Sequence, residues 1–221
     1  MGGRVLRRIV VVATLVVTGA GVLASPAAAS DRITARKLVV TAADIGRGYS
    51  SAPAEPKPDV FKALAACVGR SSDKRKLSTT LDGLEFTNAD GTAFISSSVD
   101  LVKTVAMARA DRALIADAKF PSCLAEVDKE LSASQGVASV QAERVAVQKF
   151  GQYSTAILAH ASGTSGTGQQ IDVTEVTVAV IRGRAELTAS FTTTGTTPFG
   201  ESAAEAIVAK VDRRLAKAAV T

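Results

Sequence analysis

Two cysteines and one histidine are the residues of this chain whose chemistry could most directly serve catalysis or metal binding. Cys67 lies in ALAACVGR, Cys123 in KFPSCLAEV, and His160 in the second half. Two thiols in an exported chain meet an oxidising compartment and normally pair. We therefore expect a Cys67–Cys123 disulfide, whose loop closure would stabilise the fold by roughly 4 kcal/mol. The alternative, a free nucleophilic cysteine beside His160, needs an exposed thiolate with a low pKa.

A catalytic site would need a nucleophile with a base, a metal cluster or paired carboxylates. A Ser-His-Asp arrangement would have to use His160, which shares a strand face with Ala156 and Leu158. This pattern favours a packed structural histidine. One histidine and two paired cysteines do not make a zinc site of a common type. We predict that the chain is not an enzyme and holds no cofactor or metal, with a hydrolase of unfamiliar site as the third hypothesis.

Carboxylates and glycines near the predicted strands give weaker signals. Asp100, Asp172 and Glu175 could line a cleft, although solvent-facing positions are the default expectation for such residues. The segment GTSGTG at 163–168 lacks the lysine and the following helix that a phosphate-binding P-loop requires. A hairpin loop explains these glycines better, and the ligand-binding residues stay unknown from the sequence.

The first 29 residues have the pattern of a signal peptide. Three arginines (Arg4, Arg7 and Arg8) precede an apolar run, and Ala27-Ala28-Ala29 offers the small residues that signal peptidase requires. The apolar run is shorter than the roughly 20 residues of a membrane-spanning helix. We expect cleavage near Ala29, a secreted, extracytoplasmic protein and no stable membrane span, with an uncleaved anchor as the alternative.

The charge balance argues against nucleic acid as a partner. The chain has 26 Lys and Arg against 21 Asp and Glu, and three of the arginines belong to the signal peptide. Nucleic-acid binding would need basic residues clustered with aromatic ones. The densest basic run contains no aromatic residue and is typical of a solvated loop: Arg70, Lys74, Arg75 and Lys76.

The patterns predict an α+β fold, with a single antiparallel sheet and helices packed on one face. Residues 30–58, with Pro53, Pro56 and Pro58, are expected to form an N-terminal extended segment, and residues 59–221 the domain. Asp59 should cap a helix that ends at Gly69. Period-two alternation from Ala93 to Leu101 predicts a strand. A helix should follow, stopped by Pro121, with Ser122 capping the next helix.

The second half is predicted to be mostly β. A long hairpin should turn at Arg182-Gly183, with a bulge near Thr174-Glu175 where the apolar phase slips. Ser202 and Glu205 have the spacing of a capping box that opens the last helix. That helix should bury one stripe of side chains and expose the basic ones: Ile207, Val208, Val211 and Leu215 against Lys210, Arg213, Arg214 and Lys217.

The order of these patterns resembles a known group. TAADIGRGY after a signal peptide, a helix ending in a cysteine, SSSVDLV, a helix running into KFPSCLAEV, and a β-rich second half are its features. The group comprises actinobacterial secreted proteins and lipoproteins similar to the extracellular sensor domain of the mycobacterial kinase PknH. The resemblance covers most of residues 38–217. It implies an α+β domain with helices on an antiparallel sheet and a cleft for an unidentified ligand.

We expect this chain to depart from the kinase sensor in three ways: no kinase, no membrane anchor, and two cysteines where that sensor has two disulfides. We predict an extracytoplasmic binding or sensor-like module that holds a small molecule, a lipid-like ligand or a cell-envelope component in a cleft. The alternative is a non-enzymatic protein that binds another envelope protein. A binding module should have a mostly apolar pocket with few polar groups, and an interaction protein an exposed apolar patch.

Overall fold

The computed structural model describes residues 26–54, 60–72 and 76–218. Residues 1–25 of the predicted signal peptide therefore lie outside the described part. The helices of this part are α1 (Pro26–Arg36), α2 (Ala42–Ile45), α3 (Phe61–Val68), α4 (Val105–Ile115), α5 (Phe120–Ser132) and α6 (Glu201–Lys217). The strands are β1 (Tyr49–Pro53), β2 (Leu77–Asp82), β3 (Leu84–Asn88), β4 (Ala93–Val102), β5 (Val137–Val145), β6 (Tyr153–Thr164), β7 (Gln170–Arg182) and β8 (Ala185–Thr194).

One antiparallel sheet contains all of these strands. Its order is β1-β3-β4-β8-β7-β6-β5, and β2 pairs with β4 alongside β3. Short connections such as Gly183-Arg184, between β7 and β8, permit antiparallel hairpins. The connection between β2 and β3 passes close to β4 at Gly83. A Cβ atom at this position would lie 3.1 Å from the carbonyl oxygen of Ser97. The α+β class and the antiparallel sheet are confirmed.

Helices pack on both faces of the sheet, whereas the sequence predicted helices on one. Successive strand residues point to opposite faces. Ala156 packs in a cluster with α1 and α6, on what we call the first face. Ile157 packs in a cluster with α3, α4 and α5, on the second face. Both faces of the sheet thus carry helices, which removes the simple inside–outside alternation that the one-face prediction assumed.

The segment predicted as extended contributes regular structure to the domain. α2, β1 and most of α1 fall within it, and Ala35, Leu38 and Val40 are buried in the core of the first face. Val40 N–H donates to the Ser97 hydroxyl at 2.8 Å, which ties the segment to β4. The predicted cleavage point after Ala29 lies in α1, and residues 55–59, including the predicted cap Asp59, lie outside the described part.

Three local predictions were wrong for identifiable reasons. Ser122 does not cap a helix, because α5 already begins at Phe120. The register of β7 with both neighbours is continuous through Thr174 and Glu175, so no bulge exists there. The apolar phase slips because Glu175 occupies a buried position on the second face. The capping box at Ser202 does not form, because α6 already begins at Glu201. The Glu205 carboxylate instead accepts a hydrogen bond from Gln148 N–H at 2.6 Å.

Candidate functional site

The three carboxylates singled out from the sequence are divided between the two faces of the sheet. Asp100 and Glu175 lie on the second face and are buried, contrary to the solvent-facing default. Glu186, directly opposite Asp100, joins them there. Asp172 lies on the first face, where it pairs with Ser162 on the neighbouring strand. The second face of the sheet thus carries buried polar side chains and is a candidate binding surface.

Five buried hydroxyl-bearing residues form a continuous belt on this second face. They come from the three adjacent strands β4, β8 and β7, in which alternate residues share a face. Ser98 lies opposite Thr188, and Thr177 lies opposite Ser190. Thr192 lies opposite Glu175. We call this set the hydroxyl belt: Ser98, Thr177, Thr188, Ser190 and Thr192.

One end of the hydroxyl belt is internally satisfied. Thr177 Oγ1 donates to Glu175 Oε1 at 2.6 Å, and Thr192 Oγ1 donates to Glu175 Oε2 at 3.1 Å. The Thr177 and Ser190 hydroxyls lie 3.2 Å apart. The buried carboxyl group thus holds two hydroxyl groups in defined directions, and these bonds satisfy its oxygens.

The other end of the belt has hydrogen-bonding capacity to spare. Ser98 is only 2% exposed and Thr188 only 7%. Within the described part of the chain, neither hydroxyl makes a hydrogen bond. Neither oxygen is completely shut off from solvent, so both can hydrogen-bond to a molecule that enters from outside. A bound polar ligand or ordered water would supply the missing partners.

An open cleft of about 590 Å³ adjoins the belt. Phe94, which lines it, lies directly opposite Thr192 of the belt. Its walls come from the start of β1, the turn between β3 and β4, and the end of β8. The lining residues are Gly48, Tyr49, Ser50, Thr87, Asn88, Ala89, Asp90, Gly91, Thr92, Phe94 and Thr194. This mixture of two aromatic rings with several polar side chains differs from the mostly apolar pocket expected from the sequence.

The turn that forms one wall of the cleft is braced by its own asparagine. Asn88 Oδ1 accepts hydrogen bonds from Thr92 N–H at 2.9 Å and from Ala93 N–H at 3.0 Å. Its amide nitrogen donates to the Thr92 hydroxyl at 3.2 Å. Burial raises the pKa of Tyr49, whose hydroxyl therefore stays protonated. The wall is preorganised and its phenol is neutral.

His160 is a partly exposed residue of the first face, away from the hydroxyl belt. Its side chain is 37% exposed, and Nε2 lies 2.7 Å from Asp172 Oδ1. The ring makes no other hydrogen bond within the described residues, so no serine hydroxyl is placed against it there. Asp172 thus orients the His160 ring, but no nucleophile lies against the ring among the described residues. The sequence predicted a packed histidine, whereas His160 is partly exposed.

The helical cover of the second face lies over the opposite end of the sheet from the cleft. α3, α4 and α5 pack on Val102, Ile157 and Ile181. The structure joins Cys67 at the end of α3 to Cys123 in the first turn of α5, with 5.7 Å between the Cα atoms. Pro121 stands in that first turn, where a missing N–H costs nothing. The disulfide therefore holds two helices of the cover together.

No sequence signal singled out the hydroxyl belt as a site. On β8 the polar residues alternate strictly with Ala185, Leu187, Ala189 and Phe191, which is typical of a strand with one face in solvent. The usable signal is the composition of β8, because its polar positions hold one glutamate and otherwise only the short residues threonine and serine. Among the residues that the structure describes, no three His, Cys, Asp or Glu are grouped to hold a metal ion, and no helix is long and apolar enough to cross a membrane.

Comparison with known proteins shows structural likeness at a distant level only. No family model matches the chain, and no curated protein matches it either. Among solved structures, the extracellular domain of PknH from Mycobacterium tuberculosis is similar with a TM-score of 0.42 and 10% sequence identity, over 80% of this chain and 93% of that one. A likeness at this level is one of distant fold and says nothing of what this chain binds.

Proposed function

We propose that this chain is an exported binding module that holds a small hydroxylated ligand along the hydroxyl belt, with the open cleft as its entrance. The observation that carries the proposal is the pair of buried hydroxyls on Ser98 and Thr188, which have no partner within the described chain. Each hydroxyl can donate one hydrogen bond and accept others. A ligand rich in hydroxyl groups matches this capacity better than a lipid chain.

The cleft supports the same chemistry. Its volume of about 590 Å³ falls within the usual range for small-molecule pockets. Phe94 and Tyr49 offer apolar ring surfaces, while Thr87 and Thr194 offer hydroxyls. Sugars and other polyols present both apolar C–H faces and hydroxyl groups, so they fit such a lining. The lipid-like ligand predicted from the sequence gains less support from these walls.

The proposed compartment is extracytoplasmic. A disulfide between Cys67 and Cys123 fits an oxidising environment. The pattern of the first 29 residues predicts export. That the chain is not an enzyme, and that its alternative role is to bind another envelope protein, stay predictions. The three large apolar side chains exposed in the described part, Ile33, Leu84 and Leu131, lie on three different elements.

Saturation-transfer NMR tests the proposal with defined probes. The protein is offered glucose, mannose and myo-inositol, with 1-octanol as an apolar probe. We expect transfer to at least one of the hydroxylated probes, and its loss in Thr188→Val. Thr79→Val is the matched control, since it makes the same change on β2 at a residue facing the first face. Transfer to 1-octanol alone, or equal loss in both variants, would contradict the proposal.

A further inference from the structure

A second, smaller pocket lies between α4 and the end of the sheet that carries the β7–β8 turn. Its volume is about 210 Å³. Val105 and Ala108 of α4 and Ile181 of β7 give it an apolar floor, and Tyr153 and Gln152 close one side. The hydroxyl belt contributes no residue to this pocket, so it is separate from the site proposed above.

Two arginines one helical turn apart form the rim of this pocket. Arg109 and Arg112 are exposed on α4, and residues at this spacing are neighbours on a helix surface. Arg112 lies over the Tyr153 ring, 5.0 Å from its centroid. A guanidinium stacked in this way keeps its N–H groups free for an anion.

These two exposed arginines differ from other, partly buried arginines of the described chain. Arg182 is held by Asp212, and Arg214 by Asp44. Arg109 and Arg112 have no hydrogen bond or ion pair within the described part of the chain. Like charges at this spacing disfavour the helix by a few tenths of a kcal/mol. Two neighbouring cations without a carboxylate among the pocket residues make an electropositive rim over an apolar floor.

A neutral hydrogen-bond donor completes the arrangement. Gln152 Oε1 accepts from Gly183 N–H at 3.0 Å, which leaves the amide N–H₂ group of Gln152 available at the pocket. Glu186 lies opposite Ile181 in the ladder, but it is buried and does not line the pocket. The pocket therefore presents two guanidinium groups and one amide to a ligand, and no carboxylate.

From this geometry we infer that the pocket binds a phosphoryl group. Guanidinium forks match the oxygens of a phosphate in a bidentate manner, and two of them balance a dianion. The apolar floor accommodates the aliphatic part of a phosphate ester. The group can belong to a small soluble phosphate or to the headgroup of an anionic lipid, and these two sources share the same contacts.

Amide and arginine side-chain NMR shifts under titration test the inference. Inorganic phosphate and glycerol 3-phosphate are added at constant ionic strength against chloride, and sedimentation compares vesicles of phosphatidic acid with vesicles of phosphatidylcholine. We expect saturable shifts at Tyr153, Gly183 and the two arginines. Arg109→Gln and Arg112→Gln should each weaken binding about 10- to 100-fold, the usual effect of losing a charge-assisted hydrogen bond.

Arg213→Gln is the matched control, because Arg213 is exposed on α6 and the change removes the same charge. Shifts with the soluble phosphates identify a small-molecule ligand, and binding only to phosphatidic acid vesicles identifies a lipid headgroup. The inference is overturned if neither probe binds saturably, or if Arg213→Gln weakens binding as much as the pocket variants. Failure here would leave the hydroxyl belt untouched, since none of its residues is changed.

Discussion

Arg214 on α6 and Asp44 on α2, 170 residues apart, form a bidentate ion pair, with Nη1–Oδ1 at 2.6 Å and Nη2–Oδ2 at 2.8 Å. The same guanidinium donates to the carbonyl oxygens of Lys37 and Val39. Asp44 also accepts from the N–H and the hydroxyl of Thr41, both at 2.8 Å. One buried carboxylate thus fastens the TAADIGRGY segment onto the last helix.

This pair predicts an acid-dependent stability. Burial alone would raise the pKa of Asp44, but hydrogen bonds from Arg214 and Thr41 outweigh it, so the pKa lies below its ordinary value of 3.8. The ionised form therefore stabilises the folded state in full above 3.8, and this contribution is lost as pH falls from there through the lowered pKa. At pH 7, Asp44→Asn should lower the free energy of unfolding by about 2–3 kcal/mol.

Urea unfolding of both proteins from pH 7 to pH 2 checks this prediction. The difference between wild type and Asp44→Asn should be constant down to about pH 4 and then shrink. Glu130→Gln, an exposed carboxylate on α5, serves as the control and should change stability by less than about 0.5 kcal/mol. A difference that persists undiminished to pH 2 would show that the charge of Asp44 is not what stabilises the segment.

Removing the disulfide should destabilise the helical cover and the whole domain. Cys67 and Cys123 close a loop with a sequence separation of 56, which corresponds to about 4 kcal/mol of loop-closure entropy. The urea midpoint of the double variant Cys67→Ala/Cys123→Ala should fall accordingly, and reductant should shift only the wild type. An intact mass without the deficit of two hydrogens would contradict the pairing itself.

Much of the fold was predictable because its local signals agree with its packing. The helix that ends at Gly69, the β7–β8 hairpin and the buried stripe of α6 all follow from period and turn chemistry. The role of Arg214 was not predictable. Its position on α6 marks it as solvent-facing, and its partner Asp44 is distant in sequence. Hydrophobic periodicity identifies which face of a helix is buried, but not which distant residue a given side chain contacts.

The candidate site was hidden for a related reason. Thr188 and Ser190 alternate with apolar residues, as they would on a strand with one solvent-exposed face. Whether the polar phase meets water depends on what lies above the sheet, and that is a property of the whole chain. The glycine contact between β5 and β6 is equally non-local, although the glycines themselves are visible in the sequence.

Gly163 and Gly136 allow β5 and β6 to approach closely where their register shifts. A Cβ at Gly163 would lie 2.1 Å from the Gly136 carbonyl oxygen, in backbone that cannot move aside easily. Gly163→Ala should therefore lower the free energy of unfolding by about 1–3 kcal/mol or more. Gly166→Ala, in the loop between β6 and β7 with no neighbour within 4 Å, should be neutral or slightly stabilising. Equal effects of the two changes in thermal unfolding would contradict the close contact.

Thr188 and Thr177 should respond in opposite ways to the same isosteric substitution. Thr188→Val removes a buried hydroxyl with no partner in the described chain, so stability should be unchanged or higher by up to about 1 kcal/mol. Thr177→Val removes the donor to Glu175 Oε1, which weakens the support of a buried carboxylate. It should lower the free energy of unfolding by about 1.5–3 kcal/mol.

Differential scanning calorimetry of the two valine variants measures this contrast directly. A polar residue that does not stabilise the fold is typical of a binding surface, because function can require a residue that stability does not. If Thr188→Val is as destabilising as Thr177→Val, the Thr188 hydroxyl is satisfied within the folded protein, and the belt is a structural network. If it is neutral or stabilising and also abolishes transfer to the hydroxylated probes, Thr188 serves the ligand and not the fold.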